Sequence, residues 1–232
     1  FARTLPMAPG NPVFLWAHLE LLRYFGIREP LCDTSADRIW AAARERLSGW
    51  GCRDIIRQSG VEALCTTDDP ADDLSWHRRI RKSQEDGSAG AFRTRVRPAF
   101  RPDRAMNLEA DGYGDWIDRL ASAAGMEGGI GDYAGLQLAL SRRMDAFGAE
   151  GCRLSDHALA WVPGLAEGEA FPDDAELDGL FQRRLSGVRP AAAGCDRFRL
   201  GLLVWLGREV AARGWTFQLH IGALRNNHSR AF

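Results

Sequence analysis

Residues 61–66 have the sequence VEALCT, and the polar turn TDDP follows at 67–70. A short run rich in apolar residues that stops at Asp and Pro is typical of a buried strand. The arrangement recurs with strands predicted at 92–100, 152–155 and 215–219, followed by Arg101-Pro102-Asp103, Asp156-His157 and His220-Ile221-Gly222. Each of the four predicted strands is therefore followed by residues able to do chemistry.

Helical patterns separate these strands. Asp69 and Pro70 form an N-cap and first-turn pair, which predicts a helix over 70–82. Apolar spacing and capping residues predict further helices over 132–149, about 173–185 and 198–213. Alternating strands and helices imply right-handed crossovers and a parallel sheet. Polar residues after all four strands favour a (β/α)8 TIM barrel over an open doubly wound sheet, which usually binds its ligand at one switch point.

The first 60 residues lack this alternation. Their pattern predicts helices over 13–24, from an N-cap at Ser35 to Leu47, and over 52–59, where Gly60 provides the stop. The predicted fold class is α/β. It consists of a helical insertion over 1–60 and a partial (β/α)8 barrel with about four strands over 61–232.

Composition narrows the class of protein. The chain has 232 residues, 45% of them hydrophobic, so it can fill a core. Its 30 positive and 31 negative charges nearly cancel, which argues against a protein that coats nucleic acid or an acidic membrane. The five cysteines include no C-x-x-C pair, so a disulfide framework or zinc ribbon is disfavoured and a reducing cytoplasm is expected.

The polar residues after the first two strands have competing interpretations. Helix capping explains an aspartate at 69, but it does not explain the aspartate at 68. Arg101, directed by Pro102, could hold a carboxylate through two parallel hydrogen bonds. Alternatively, Arg101 and Asp103 could form an ion pair that ties the loop down.

The residues after the last two strands are also open to more than one role. Asp156 and His157 could be an acid–base pair, metal ligands or a brace for the loop. His220, followed by Arg225 and Asn226, belongs to the densest polar cluster in the chain, which favours function over structure.

Two further histidines are less informative. His18 lies among apolar residues, which indicates a place in a core or an interface. His77 stands beside two arginines on a predicted helix, so we expect it to be solvated.

Taken in order, five motifs resemble the uronate isomerase (glucuronate isomerase) family of the amidohydrolase superfamily. They are Gly10-Asn11-Pro12 with Trp16-Ala17-His18-Leu19-Glu20-Leu21, Thr66-Thr67-Asp68-Asp69-Pro70, Arg101-Pro102-Asp103, Ser155-Asp156-His157-Ala158-Leu159, and the octapeptide HIGALRNN at 220–227. The resemblance runs from the first residues to the last, and the octapeptide is its most specific part.

The resemblance implies a metal-assisted aldose–ketose isomerase of bacterial hexuronate breakdown. D-glucuronate would become D-fructuronate, and D-galacturonate would become D-tagaturonate, through a proton transfer between C2 and C1. It implies a small-molecule uronate as partner, neither nucleic acid nor membrane, and a homo-oligomer when full length. The implied catalytic residues are His220, Asp156 and His157, and the implied substrate-binding residues are Arg101, Asp103, Arg225, Asn226, Asp68 and His18.

One feature departs from the family pattern. The family carries a His-x-His on its first barrel strand and an Asp on its last, and this chain contains no His-x-His. We therefore expect the chain to be an internal fragment, with no metal ligands of its own and a divalent metal, zinc in our expectation, bound only by the full-length enzyme. The alternatives are a metal-dependent hydrolase of the same superfamily and an inactive fragment.

Overall fold

The computed structural model describes residues 1–165 and 167–222, and its helices and strands alternate over most of this length. In chain order the elements are α1 (Pro12–Phe25), α2 (Ala36–Leu47), α3 (Cys52–Gln58), β1 (Ala63–Cys65), α4 (Ser75–Glu85), β2 (Arg95–Arg97), α5 (Asp103–Met106), α6 (Tyr113–Ala123), α7 (Tyr133–Ala149), β3 (Leu154–Leu159), α8 (Asp174–Leu185), α9 (Ala192–Ala212) and β4 (Thr216–Ile221). The chain divides into two units, one of residues 1–64 and 83–95, the other of residues 65–82 and the chain from Val96 onward. The predicted division into 1–60 and 61–232 stays a prediction.

The first unit is helical, as the sequence indicates. The side chain of Asn11 accepts a hydrogen bond from Val13 N and so caps α1, which ends at Gly26 in the left-handed conformation with φ 71°. Ser35 precedes α2 as predicted, but its hydroxyl makes no capping bond. It donates to Pro30 O (2.7 Å) instead, which ties the preceding loop to the start of the helix.

The four predicted strands exist and run parallel in chain order. β1 pairs with β2, and β3 pairs with β4. Parallel bridges from Asp68 to Phe100 and from Phe100 to Ser155 link the two pairs. The coarse prediction of a parallel α/β arrangement is therefore confirmed for the described residues.

The third and fourth strands are longer than predicted at their carboxyl ends. β3 runs to Leu159 and β4 to Ile221, so Asp156, His157 and His220 lie within strands and not after them. Backbone pairing on both sides explains the extension of β3, because Asp156 N donates to Phe100 O (2.9 Å) while its Cα stands opposite Gln218 of β4.

The predicted helix over 70–82 is wrong at its start. Asp69 does not cap a helix, because its carboxylate accepts hydrogen bonds from Ala71 N (2.9 Å) and from the indole Nε1 of Trp116 (2.8 Å). The chain instead turns through Leu74, with φ 56°, and α4 begins at Ser75.

The core of the second unit is formed by helices that surround one face of the sheet. α6 was not predicted, although Tyr113, Trp116 and Leu120 have helical spacing and are almost fully buried. The largest fully buried side chains are Trp116, Tyr113, Phe100, Phe147, Phe181 and Phe198.

No helix in 1–165 or 167–222 is long and apolar enough to cross a bilayer.

Candidate active site

The two faces of the sheet carry different chemistry. Successive side chains of a strand point to opposite faces, and residues in parallel register share a face. The bridge from Phe100 to Ser155 and the register of β3 with β4 therefore separate two sets of residues. We call Phe100, Ser155, His157 and Phe217 the helix-packed face, and Arg101, Asp156, Gln218 and His220 the open face.

On the open face, a carboxylate lies between an imidazole and a guanidinium. Asp156 Oδ1 is 2.9 Å from His220 Nε2, and Asp156 Oδ2 is 3.7 Å from Arg101 Nε. The contact with His220 has the distance of an ion pair without the alignment of a hydrogen bond, so Asp156 Oδ1 has no hydrogen-bond partner among the described residues. The Asp156 side chain is 10% exposed and that of His220 is 54% exposed, so this pair is open to a ligand on one side.

Gln218, which sequence reasoning missed, completes this group. Its amide nitrogen is 2.7 Å from His220 Nε2, the same atom that faces Asp156. The Gln218 amide nitrogen can only donate, so His220 Nε2 accepts this hydrogen bond. The alternation of Gln218 with His220 along β4 was the signal in the sequence.

The helix-packed face holds His157 in a closed environment. Its ring is completely buried, and Nε2 is 2.7 Å from Ser155 Oγ, which itself donates to Phe100 O (3.2 Å). The ring also packs against Phe217, with centroids 4.6 Å apart. His157 and Asp156 are neighbours in sequence, yet the pleat of β3 places them on opposite faces.

Asp103, the first residue of α5, contacts both Arg101 and β3 through its carboxylate. Its Oδ2 accepts hydrogen bonds from Arg101 Nε (3.1 Å) and from Ala158 N (3.0 Å). Its Oδ1 lies 3.6 Å from His157 Nδ1 and makes no hydrogen bond to the described residues. Tyr113 anchors α5, because its hydroxyl donates to Ala105 O (3.0 Å). Burial raises the pKa of this hydroxyl.

Asp68 belongs to a separate cluster. It is in register with Phe100, and its Oδ2 accepts from Thr66 Oγ1 (2.6 Å) and Ala99 N (3.2 Å). Thr66 Oγ1 also lies 2.7 Å from His77 Nε2. His77 is 8% exposed, so the expectation that it is solvated is wrong, because α4 turns this residue towards β1.

The remaining predicted residues lie elsewhere. His18 belongs to the first unit, where Nδ1 donates to Phe14 O (2.7 Å) and Nε2 accepts from Leu31 N (3.0 Å). Both ring nitrogens are thus engaged within the chain. Arg225 and Asn226 lie outside the described residues.

The donor groups of this region do not form a metal site. In residues 1–165 and 167–222, no three His, Cys, Asp or Glu side chains are arranged to hold a metal ion. Asp156 and His220 provide two such groups, and their neighbours Arg101 and Gln218 are not metal ligands of the expected kind.

The sequence profile described as glucuronate isomerase matches residues 1–232. A uronate isomerase of Yersinia enterocolitica is 43% identical over 235 residues, and one of Salmonella arizonae is 40% identical over the same length. Each match covers 100% of this chain and 47% of the relative. The chain therefore spans about half the length of the curated relatives it matches.

Two solved structures are similar to this chain. A uronate isomerase from Thermotoga maritima matches with a TM-score of 0.83 and 28% identity, over 99% of this chain and 48% of that one. A glucuronate isomerase from Caulobacter crescentus matches with a TM-score of 0.79 and 23% identity, over 99% of this chain and 45% of that one. The second likeness shows the fold alone.

Proposed function

The chain belongs to the glucuronate isomerase family, and on that premise we propose that the protein interconverts aldose and ketose forms of hexuronates. The substrates are D-glucuronate, which gives D-fructuronate, and D-galacturonate, which gives D-tagaturonate. The observation that carries the proposal is the grouping of Arg101, Asp156 and His220 on one face of a parallel sheet. The family relation does not favour the alternative of a metal-dependent hydrolase.

The reaction needs a group that moves a proton between two carbons. A base removes the proton from C2, the electron pair of that bond forms the C1–C2 double bond of an enediol, and the carbonyl oxygen at C1 gains a proton. Return of a proton to C1 and loss of the proton on O2 then give the ketose. We assign the proton transfer to His220, since its ring is half exposed and its Nε2 lies 2.9 Å from the Asp156 carboxylate.

Arg101 is proposed to bind the substrate carboxylate at C6. A guanidinium holds a carboxylate through two parallel hydrogen bonds. Arg101 contacts the described residues through Nε, which leaves its terminal amino groups for the ligand. Arg225 and Asn226 remain proposed substrate-binding residues on the strength of the resemblance.

The other predicted site residues receive structural roles in this proposal. The ring of His157 has no exposed surface with which to touch a sugar, so it braces β3. Asp68 and His18 already form hydrogen bonds within the chain, which supports a role for each in holding a loop in place.

Several wider features stay proposals. We propose that the four strands are part of a closed (β/α)8 barrel, that the whole protein is a cytoplasmic homo-oligomer, and that a divalent cation, zinc in our expectation, assists the reaction. The described residues do not fit such a cation, so no step above passes through it.

The proposal is tested with the whole gene product and D-glucuronate, D-galacturonate, D-glucose and D-galactose as substrates. Nuclear magnetic resonance detects each ketose directly. We expect ketose from both uronates and far less from the neutral aldoses, which lack the carboxylate. Absence of ketose from both uronates would contradict the proposed function, and equal rates with the neutral sugars would contradict the role of Arg101.

A further inference from the structure

Asp103, the first residue of α5, pairs with β3 where the backbone that follows Phe100 has left the sheet. Beyond Phe100 the chain turns into the short α5, so no backbone carbonyl of that segment accepts the N–H of Ala158 on β3 among the described residues. The carboxylate of Asp103 accepts this N–H at 3.0 Å. The side chain thus replaces a strand residue and takes a fixed position relative to β3.

The same oxygen also fixes Arg101. Asp103 Oδ2 accepts from Arg101 Nε at 3.1 Å, while Asp156 Oδ2 lies farther from that nitrogen at 3.7 Å. A guanidinium is planar, so a bond to Nε sets the direction of its two terminal amino groups. Charged hydrogen bonds of this kind are stronger than neutral ones.

We propose that Asp103 is a positioning residue, which directs the guanidinium of Arg101 at the substrate carboxylate without touching the substrate. This inference rests on the proposed function and replaces direct substrate binding by Asp103. The anchoring of α5 supports it, because the Tyr113 hydroxyl donates to Ala105 O and Ala105 itself is fully buried. A carboxylate that already accepts the Ala158 N–H is suited to orienting a second side chain.

A merely structural role for Asp103 makes a different prediction. If Asp103 only ties α5 to β3, its loss affects folding whatever residue stands at 101. If it orients Arg101, its effect on substrate binding depends on that arginine. A double-mutant cycle between the two positions separates these roles.

The experiment measures kcat and KM for D-glucuronate with the whole gene product and the variants Asp103→Asn, Arg101→Lys and the double variant. We expect Asp103→Asn to raise KM about tenfold with kcat little changed, as for loss of a charged hydrogen bond. In the Arg101→Lys background, Asp103→Asn should raise KM less than about threefold, because a lysine has no planar pair of N–H donors to orient. Asp103→Glu keeps the charge and should restore most of the affinity.

Asp111→Asn is the matched control, since Asp111 is exposed and pairs with Arg189 on the surface. It should leave KM unchanged. Equal effects of Asp103→Asn in both backgrounds would overturn the proposal, as would an Asp103→Asn variant that fails to fold while Asp103→Glu is normal. A wild-type protein that makes no ketose would refute the proposed function instead, and the two failures are therefore distinguishable.

Discussion

The open face and the helix-packed face are built from alternate residues of the same strands, yet they differ in what their side chains touch. On the helix-packed face, Phe100 packs edge-on against Phe147 at 5.1 Å, and His157 is sealed from solvent. On the open face, Asp156 and His220 are in contact while the imidazole stays half exposed. One face is thus closed by packing and the other is open to a ligand, and under the proposed function substitutions on the two faces should have separable effects.

The largest expected effect is on the open face. His220→Asn removes the group to which we assign the proton transfer, and loss of a general acid–base residue costs about 10²–10⁴-fold in rate. We expect the fall mainly in kcat for D-glucuronate, with KM and the melting temperature little changed. A variant that keeps wild-type kcat would show that the proton is moved by another residue.

The next effect is on the helix-packed face. Phe147→Ala leaves a cavity beside Phe100 in a fully buried position, which should cost about 3–5 kcal/mol of unfolding free energy. Urea unfolding of the whole gene product measures this loss. Leu138→Ala on the same helix is the control, since Leu138 is 47% exposed and should cost far less. Similar losses at both positions would contradict the assignment of the core.

Arg101→Lys tests binding on the open face. An ammonium cannot reproduce the two parallel bonds of a guanidinium, so the loss should be about 1.5–3 kcal/mol, or one to two decades in kcat/KM for both uronates. Arg189→Lys is the control, since Arg189 is in an exposed ion pair with Asp111, and it should leave kcat/KM unchanged. Wild-type kinetics for Arg101→Lys would show that another residue binds the C6 carboxylate of the substrate.

The smallest effect is expected at Ser155. Ser155→Ala removes the hydroxyl that faces His157 Nε2 and leaves a buried polar atom without a partner, at a cost of about 1–3 kcal/mol. The exposed Ser186, whose hydroxyl donates to Arg183 O, gives the control variant Ser186→Ala. Thermal unfolding should separate the two variants while kcat stays the same in both.

Local signals were sufficient to predict much of this fold from the sequence. Asp173 caps α8 by accepting from Glu176 N (2.8 Å), and Asp132 caps α7 by accepting from Gly135 N (2.6 Å). Both contacts lie within three residues of the cap. The alternation of strands and helices likewise predicted the parallel order of the strands, because connections of that kind allow few other arrangements.

Tertiary contacts explain where the prediction failed. Asp69 resembles a helix cap, but the indole of Trp116, 47 residues away, binds its carboxylate and the helix begins later. His157 resembles a loop residue after a strand, but pairing of β3 on both sides continues past it. The sequence therefore pointed to Arg101, Asp156 and His220 but not to Gln218, and the face of the sheet on which each residue lies required the register.

Asp156 and His157 provide the most direct test, because they are adjacent residues on opposite faces of β3. The measurement is kcat for D-glucuronate, with the unfolding free energy alongside, for Asp156→Asn and His157→Asn in the whole gene product. We predict that Asp156→Asn lowers kcat at least about tenfold with the fold intact, since it removes the negative charge 2.9 Å from the ring nitrogen of His220. We predict that His157→Asn keeps kcat within about twofold and loses about 1–3 kcal/mol of stability. The reverse pattern, or equal losses of kcat in both variants, would contradict the assignment of catalysis to the open face and of stability to the helix-packed face.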